Sequence, residues 1–122
     1  MPQAIAGSQI IKSYGSGKFH IATDIYQGSV LVFPERTMAW SVSGIQDISL
    51  NCLAPVASRE PSVEILVIGC GGDFFAPLKG LREDLSEWGV SLEWMDTGAA
   101  CRTFNVLMEE ERYCAAALIS VN

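Results

Sequence analysis

A glycine-rich turn at residues 69–73 is the first place where this sequence could bind or transform a ligand. Gly69, Cys70 and Gly71 follow an apolar run, and such a strand-to-helix turn can bring backbone N–H groups to an anion at a helix N-terminus. A dinucleotide-binding G-x-G-x-x-G pattern starting at Gly69 would need glycine at position 74, which is Phe74. A Gly-Lys-Ser/Thr ending is also missing, which excludes a nucleotide P-loop. Two interpretations remain, a ligand cradle and the more frequent use of glycine in an ordinary tight turn.

Cys70 lies within this turn and is the one candidate nucleophile of the sequence. The N-terminus of a following helix would make its thiol more reactive. No second cysteine is near in sequence, and His20 is the only histidine available as a base. Because buried unreactive cysteine is the common case, we predict that Cys70 is a structural thiol and assign His20 no catalytic role.

A predicted helix from Thr97 to about residue 112 is the second candidate site, with Thr97 as its cap. Steps of 3, 4 and 3 residues place four polar side chains on one face: Arg102, Asn105, Glu109 and Arg112. This face is either a solvated stripe in which the arginines pair with Glu109, or an Arg/Asn clamp for an anion, an amide group or a protein partner. A broad apolar face lies beside it, formed by Ala100, Cys101, Phe104, Leu107 and Met108.

Composition narrows the function classes. The chain has 122 residues, a formal net charge of −6, 18% charged residues and 49% hydrophobic residues. This balance predicts one folded domain over residues 1–122, with residues 1–9 as a candidate disordered tail, and argues against disorder of the whole chain. The acidic excess argues against nucleic acid as a partner. One histidine is too few for the usual His-based triads and metal hydrolases, so we predict no metal site.

The cysteines and the ends of the chain predict the compartment. The four cysteines form no Cys-x-x-Cys pair, which predicts reduced and mostly buried thiols rather than a zinc site or a disulfide framework. The first residues lack the pattern of a signal peptide, and no apolar run reaches the length of a membrane span. We therefore expect a soluble cytoplasmic protein. Its apolar content is compatible with a homo-oligomer.

The order of predicted elements is that of an α/β protein. Short strands and turns over residues 10–42 indicate an antiparallel meander. From residue 62, a strand at 63–68, a helix after Pro77, a strand at 90–95, the helix from Thr97 and a final strand at 113–121 give a β-α-β-α-β half. The second of these elements carries an apolar stripe, which comprises Leu78, Leu81, Leu85 and Trp88.

Several of these segments resemble the Mth938-like domain family. The matches are Tyr14-Gly15 followed by Phe19, the run at residues 28–32, the strand ending at residues 68–71 and above all residues 95–112. The resemblance covers about residues 10–118 and implies a three-layer α/β fold with a mixed central sheet, no established enzymatic activity and no cofactor. The family includes a mitochondrial assembly factor for respiratory complex I, and the missing presequence favours a bacterial member. Cys70 stands where the family has threonine between two glycines.

Two hypotheses about function follow. The leading one is a non-enzymatic interaction or assembly protein that binds a protein partner. Its contact surface would be the Arg102, Asn105 and Arg112 face together with the loop at residues 69–73. The alternative is an anion-binding protein or enzyme with a pocket between that turn and the helix start at residues 97–105. There, Arg102 would bind the anion, Asn105 would orient it and Cys70 would be the nucleophile.

Overall fold

The computed structural model of the protein describes residues 8–122. Eight strands and three helices follow one another as β1 (Ile11–Gly15), β2 (Lys18–Ile21), β3 (Asp24–Gln27), β4 (Val30–Phe33), β5 (Arg36–Ala39), α1 (Ala54–Ala57), β6 (Ile65–Gly69), α2 (Leu81–Glu87), β7 (Ser91–Met95), α3 (Thr97–Glu109) and β8 (Cys114–Leu118). Two short 3-10 turns, at Ile45–Asp47 and Asn51–Leu53, precede α1.

The strands form two sheets rather than one meander. The strands β1, β2 and β3 make a small antiparallel sheet, whereas the larger sheet has the order β5-β4-β8-β6-β7. In the larger sheet β6 is parallel to both β7 and β8, and β4 is antiparallel to β5 and β8. The predicted β-rich first part, the β-α-β-α-β second part and the mixed central sheet are confirmed.

The larger sheet is the middle of three layers because both of its faces are apolar. One face packs against α1, α2 and the residues around Trp40, and the other packs against α3 and the small sheet. Along β6, Leu66 and Ile68 belong to the first of these core clusters and Val67 to the second, as the period of two in a strand requires. The predicted apolar face of α3 is confirmed, since Ala100, Cys101, Phe104 and Met108 are buried.

Three predicted boundaries are wrong in ways that matter for the candidate site. The helix α2 begins at Leu81, after Gly80 with φ +84°, so Pro77 lies in an exposed loop and not at a helix start. Asp96, not Thr97, caps α3: its carboxylate accepts a 2.9 Å hydrogen bond from Ala99 N–H. At the other end, α3 stops at Glu109.

The predicted N-terminal tail falls mostly outside the described residues. Its last two members do contact the body of the protein. Ser8 Oγ donates a hydrogen bond to the Pro34 carbonyl, and the Thr37 hydroxyl lies 2.6 Å from Gln9 Oε1. Residues 8 and 9 therefore contact β5 and the turn before it, and disorder of the tail stays a prediction.

Candidate functional site

The glycine turn and the start of α3 meet at the carboxyl ends of the parallel strands, as the sequence predicts, but they meet in direct contact. Gly69 is the last residue of β6 and faces α3. A Cβ atom on Gly69 would lie 2.8 Å from Thr97 Cα, 2.9 Å from Thr97 Oγ1 and 3.2 Å from the Cβ of Ala100. Glycine is thus needed here because the helix backbone passes too close for any side chain.

The Thr97 hydroxyl bonds to the backbone groups at which the ligand-cradle interpretation would place an anion. Thr97 is fully buried, its Oγ1 accepts a 3.0 Å hydrogen bond from Gly71 N–H, and it donates a 2.7 Å bond to the Ile119 carbonyl. In the backbone, Thr97 N–H donates to the Gly71 carbonyl at 2.9 Å. Both backbone polar groups of Gly71 are therefore bonded to the first residue of α3, and the glycine cluster joins two elements of the fold.

Tyr14 covers the first turn of α3 from the small sheet. Its register opposite Phe19 directs the side chain toward α3, where the ring and hydroxyl occupy the space that a Cβ on Gly98 would need. In the sequence, Tyr14 contributes only to the family resemblance. The structural reason for a small residue at Gly98 depends on a partner that is distant in sequence, so no local pattern could reveal it.

Asn105 holds β1 against α3. Its Oδ1 accepts a 2.9 Å hydrogen bond from Ile11 N–H, and its Nδ2 donates a 2.9 Å bond to the Ile11 carbonyl. β1 is an edge strand of the small sheet, and the side-chain amide of Asn105 replaces the peptide group of a further strand. Both ends of this amide are occupied within the protein.

Replacing Asn105 with leucine, which has the same branched shape but no polar atoms, is expected to lower the free energy of unfolding by about 2 kcal/mol because both polar groups of Ile11 lose their partners. Urea denaturation measures this loss, and hydrogen exchange at the Ile11 amide should become faster. The Asn105→Asp variant keeps the acceptor for Ile11 N–H but turns a second, negatively charged oxygen toward the Ile11 carbonyl, so it should also be less stable than the wild type. Unchanged stability of both variants would show that the pair contributes nothing.

Arg102 and Arg112 are both exposed, but they do not form the predicted stripe. Because α3 ends at Glu109, Arg112 lies beyond the helix, after Glu111 in the left-handed conformation with φ +60°. Arg112 N–H then donates to the Leu107 carbonyl at 3.0 Å, and its guanidinium lies 3.8 Å from the carboxylate of Glu110. The predicted pairing with Glu109 does not occur within residues 8–122, where Arg102 forms no ion pair.

Cys70 faces the opposite side of the central sheet from Thr97. It is 2% exposed and belongs to the core cluster that packs against α1 and α2, and its Sγ lies 3.6 Å from the Asp73 carbonyl. The helix expected to start next to it begins only at Leu81. The structure therefore brings Cys70 together with neither Arg102 nor Asn105.

The other thiols are also unpaired, and two of them are strongly affected by burial. Burial raises the pKa of Cys101 from 9.0 to about 12 and that of Cys114 from 9.0 to about 11. The nearby charges of Arg102 and Arg112, respectively, oppose these shifts without cancelling them. Both groups stay as neutral thiols at neutral pH.

We expect Ellman's reagent at pH 8 to modify one thiol of the native chain rapidly, that of half-buried Cys52, because the other three are buried. In guanidinium chloride all four cysteines should react. The Cys52→Ser variant should lose the fast phase and keep the slow ones. A second fast thiol in that variant would contradict the assignment.

Two absences hold for the part of the chain that the structure describes. No cluster of three or more His, Cys, Asp or Glu side chains within residues 8–122 is arranged to hold a metal ion. No helix in this part is long and apolar enough to cross a membrane.

Known proteins are similar to this one in sequence and in fold. A family model described as a protein of unknown function (DUF498/DUF598) matches residues 11–119. A zebrafish (Danio rerio) protein named NADH dehydrogenase (ubiquinone) 1 alpha subcomplex assembly factor 3 is 37% identical over 96% of this chain and 67% of its own length. The chain spans about three fifths of several other animal relatives with this name.

Bacterial proteins match over more of their own length. An uncharacterized protein of Rhodobacter capsulatus is 37% identical over 93% of this chain and 86% of its own length. The solution structure of a Bordetella pertussis protein, described as an Mth938-like domain, has a TM-score of 0.77 at 26% identity and covers 98% of this chain and 88% of that one. The chain is a member of the DUF498/DUF598 family and has the Mth938-like fold.

Proposed function

We propose that this protein is a non-enzymatic assembly factor that binds protein subunits of respiratory complex I while the complex is built. The observation that carries the proposal is the similarity to the zebrafish assembly factor, at 37% identity over 96% of this chain. Since the chain spans 67% of that relative, the proposal concerns the shared domain.

The geometry of the candidate site supports binding to a protein over the alternative of a small-molecule pocket. Two polar groups that would line that pocket already have partners within the protein: Gly71 N–H bonds to Thr97, and the Asn105 amide bonds to the backbone of Ile11. Cys70 is buried on the far side of the sheet. A protein partner needs no such cavity, because it binds to exposed side chains.

Arg102 is the candidate residue best placed for such a contact. It is exposed, and Val106, one turn later on the same side of α3, is 52% exposed. An arginine beside an exposed aliphatic side chain suits a protein interface, where arginine is enriched. Arg112 lies beyond the far end of α3, so it contributes to the same contact only if the partner extends along the whole helix.

Deletion of the gene in its own organism tests the proposal. We expect less assembled complex I on native gels and lower NADH:quinone oxidoreductase activity, both restored by the wild-type chain. The Arg102→Glu variant should fail to restore them. A matched control is Lys18→Glu, which makes the same charge change at an exposed position of the small sheet. Normal complex I in the deletion strain would overturn the proposed function.

The remaining parts of the proposal concern location and assembly. The proposal includes a cytoplasmic location for the protein. The net charge of −6 makes nucleic acid an unfavourable partner. Self-association is tested on the purified protein by light scattering, which should give 13.2 kDa for a monomer and a multiple of this mass for a homo-oligomer.

A further inference from the structure

The outer edge of β7 is an open side of the central sheet. Within residues 8–122, β7 is last in the strand order and pairs only with β6. Ser91 N–H donates to the Glu64 carbonyl, and the Met95 carbonyl accepts from Cys70 N–H, so these two residues point toward β6. The peptide groups of Leu92 and Trp94 must then point away from the sheet, because neighbouring residues of a strand alternate.

One of these outward groups has a side-chain partner. Arg82 of α2 donates a 2.6 Å hydrogen bond from its guanidinium to the Leu92 carbonyl. Within residues 8–122, Leu92 N–H and both polar groups of the Trp94 peptide have no hydrogen-bond partner across this edge. Unpaired strand edges of this kind are templates for pairing with another chain.

A groove follows the same edge. Its volume is about 310 Å³, and it lies between α2 and β7, lined by Arg82, Ser86 and residues 89–93. The opposite edge of the sheet differs, since residues 8 and 9 contact the β4–β5 turn and Thr37 of β5. The groove therefore leaves room for side chains of an additional strand beside the first part of β7.

We infer that the β7 edge binds an extended segment of a protein partner as an additional strand, with a basic side chain of that segment opposite Glu93. Glu93 is exposed and forms no ion pair within the described residues, which favours a cation across the edge. A second copy of this chain fits less well, since antiparallel pairing centred on Glu93 would place two carboxylates directly opposite each other. Main-chain bonds would give affinity, and the groove and Glu93 would give selectivity.

Arg82 limits access to this edge. Its guanidinium must leave the Leu92 carbonyl before a strand can pair there, so binding exchanges one hydrogen bond for another. The Arg82→Ala variant should therefore bind the segment more tightly than the wild type. This consequence has the opposite sign from the usual loss of a contact, and it separates strand addition from ordinary side-chain docking.

The inference rests on the proposed function, and photo-crosslinking tests it in cells. The photoreactive residue benzoylphenylalanine is placed at position 91, with position 25 of β3, where the side chain is 65% exposed, as the control outside both proposed contact surfaces. We expect position 91 to crosslink to a Lys- or Arg-containing segment of another protein. No crosslink above that of the control, or a crosslink only to a second copy of this chain, would overturn the inference.

The crosslinked segment, synthesised as a peptide, then tests the mode of binding. Binding should slow hydrogen exchange at the Leu92 and Trp94 amides at least 10-fold, while the Ser91 and Glu93 amides, already bonded to β6, change little. Glu93→Lys should weaken binding about 10-fold, and Glu109→Lys, the same change at the end of α3, should not. Binding that slows neither outward amide would overturn the inference.

The two proposals can fail separately. A crosslink and slowed amides with normal complex I in the deletion strain would retain strand addition and reject the complex I assignment. Impaired complex I in the deletion strain without a crosslink from position 91 would retain the complex I assignment and reject strand addition.

Discussion

Replacing Gly69 with alanine is expected to lower the free energy of unfolding by about 3 kcal/mol, the upper end of the usual cost of overpacking a core. The new methyl group would lie 2.8 Å from Thr97 Cα, a backbone atom that can move only if the start of α3 moves with it. Thr97 is in turn bonded to Gly71 and Ile119, so the displacement would break the contacts on both sides of the helix start. Urea denaturation followed by circular dichroism measures the loss.

Gly72→Ala is the matched control three positions along the same turn. A Cβ at Gly72 would meet only a side-chain methyl of Val121, at 3.9 Å, which is ordinary contact. The free energy of unfolding of the Gly72→Ala variant should therefore stay within about 0.5 kcal/mol of the wild-type value, as for most surface substitutions. Equal losses in the two variants would mean that the turn needs glycine for flexibility, and that the close approach of α3 is not the cause.

The larger elements could be predicted because their signals are local. The β-branched run before Gly69 makes a strand buried on both faces, and the apolar spacing from Ala100 to Met108 makes a helix with one buried face. The division of the N-terminal strands into two sheets has no such signal. It depends on the pairing of β4 with β8 at the other end of the chain.

The site was only partly predictable for a similar reason. The approach of the glycine turn to the start of α3 follows from topology, since both come after parallel strands of one sheet. What fills the space between them depends on distances of a few tenths of an ångström. The sequence predicts Thr97 as the helix cap. In the structure Asp96 caps the helix, and the Thr97 hydroxyl bonds across the turn instead.

The polar stripe of α3 was predicted as continuous because nothing in the sequence marks the helix end. Helices commonly end on a glycine in the left-handed conformation, and here Glu111 takes that place with φ +60°. The hydrogen bond from Arg112 N–H to the Leu107 carbonyl completes this ending. Because this residue is not glycine, no residue type marks the boundary, and the spacing of the polar residues predicts a helix longer than the one observed.

Asn105 and Tyr14 show how the small sheet is fixed to the rest of the fold. Asn105 of α3 bonds the backbone of Ile11 at the start of β1. Tyr14, near the other end of β1, packs on Gly98 of α3. Both contacts reach α3, so the helix is held by the central sheet on one side and by β1 on the other. A change at the start of α3 should therefore affect both sheets.

The Thr97→Val variant is expected to lower the free energy of unfolding by about 3 kcal/mol, because two buried polar groups lose their only side-chain partner at about 1–3 kcal/mol each. Valine keeps the volume of threonine, so packing against Gly69 is preserved and the loss reports the hydroxyl alone. Gly71 N–H would lose its acceptor, and the Ile119 carbonyl would lose its donor. Residue-resolved hydrogen exchange should show the Gly71 amide accelerated beyond the global loss of stability.

Thr97→Ser separates the hydroxyl from the methyl group. Serine retains both hydrogen bonds and removes one buried methyl, which should cost about 1 kcal/mol. The order of stability is then wild type, serine, valine, whereas a site governed by apolar packing would rank valine above serine. If valine were as stable as the wild type, the Thr97 hydroxyl would not hold the turn to the helix, and the space beside Gly71 would again be open to a ligand.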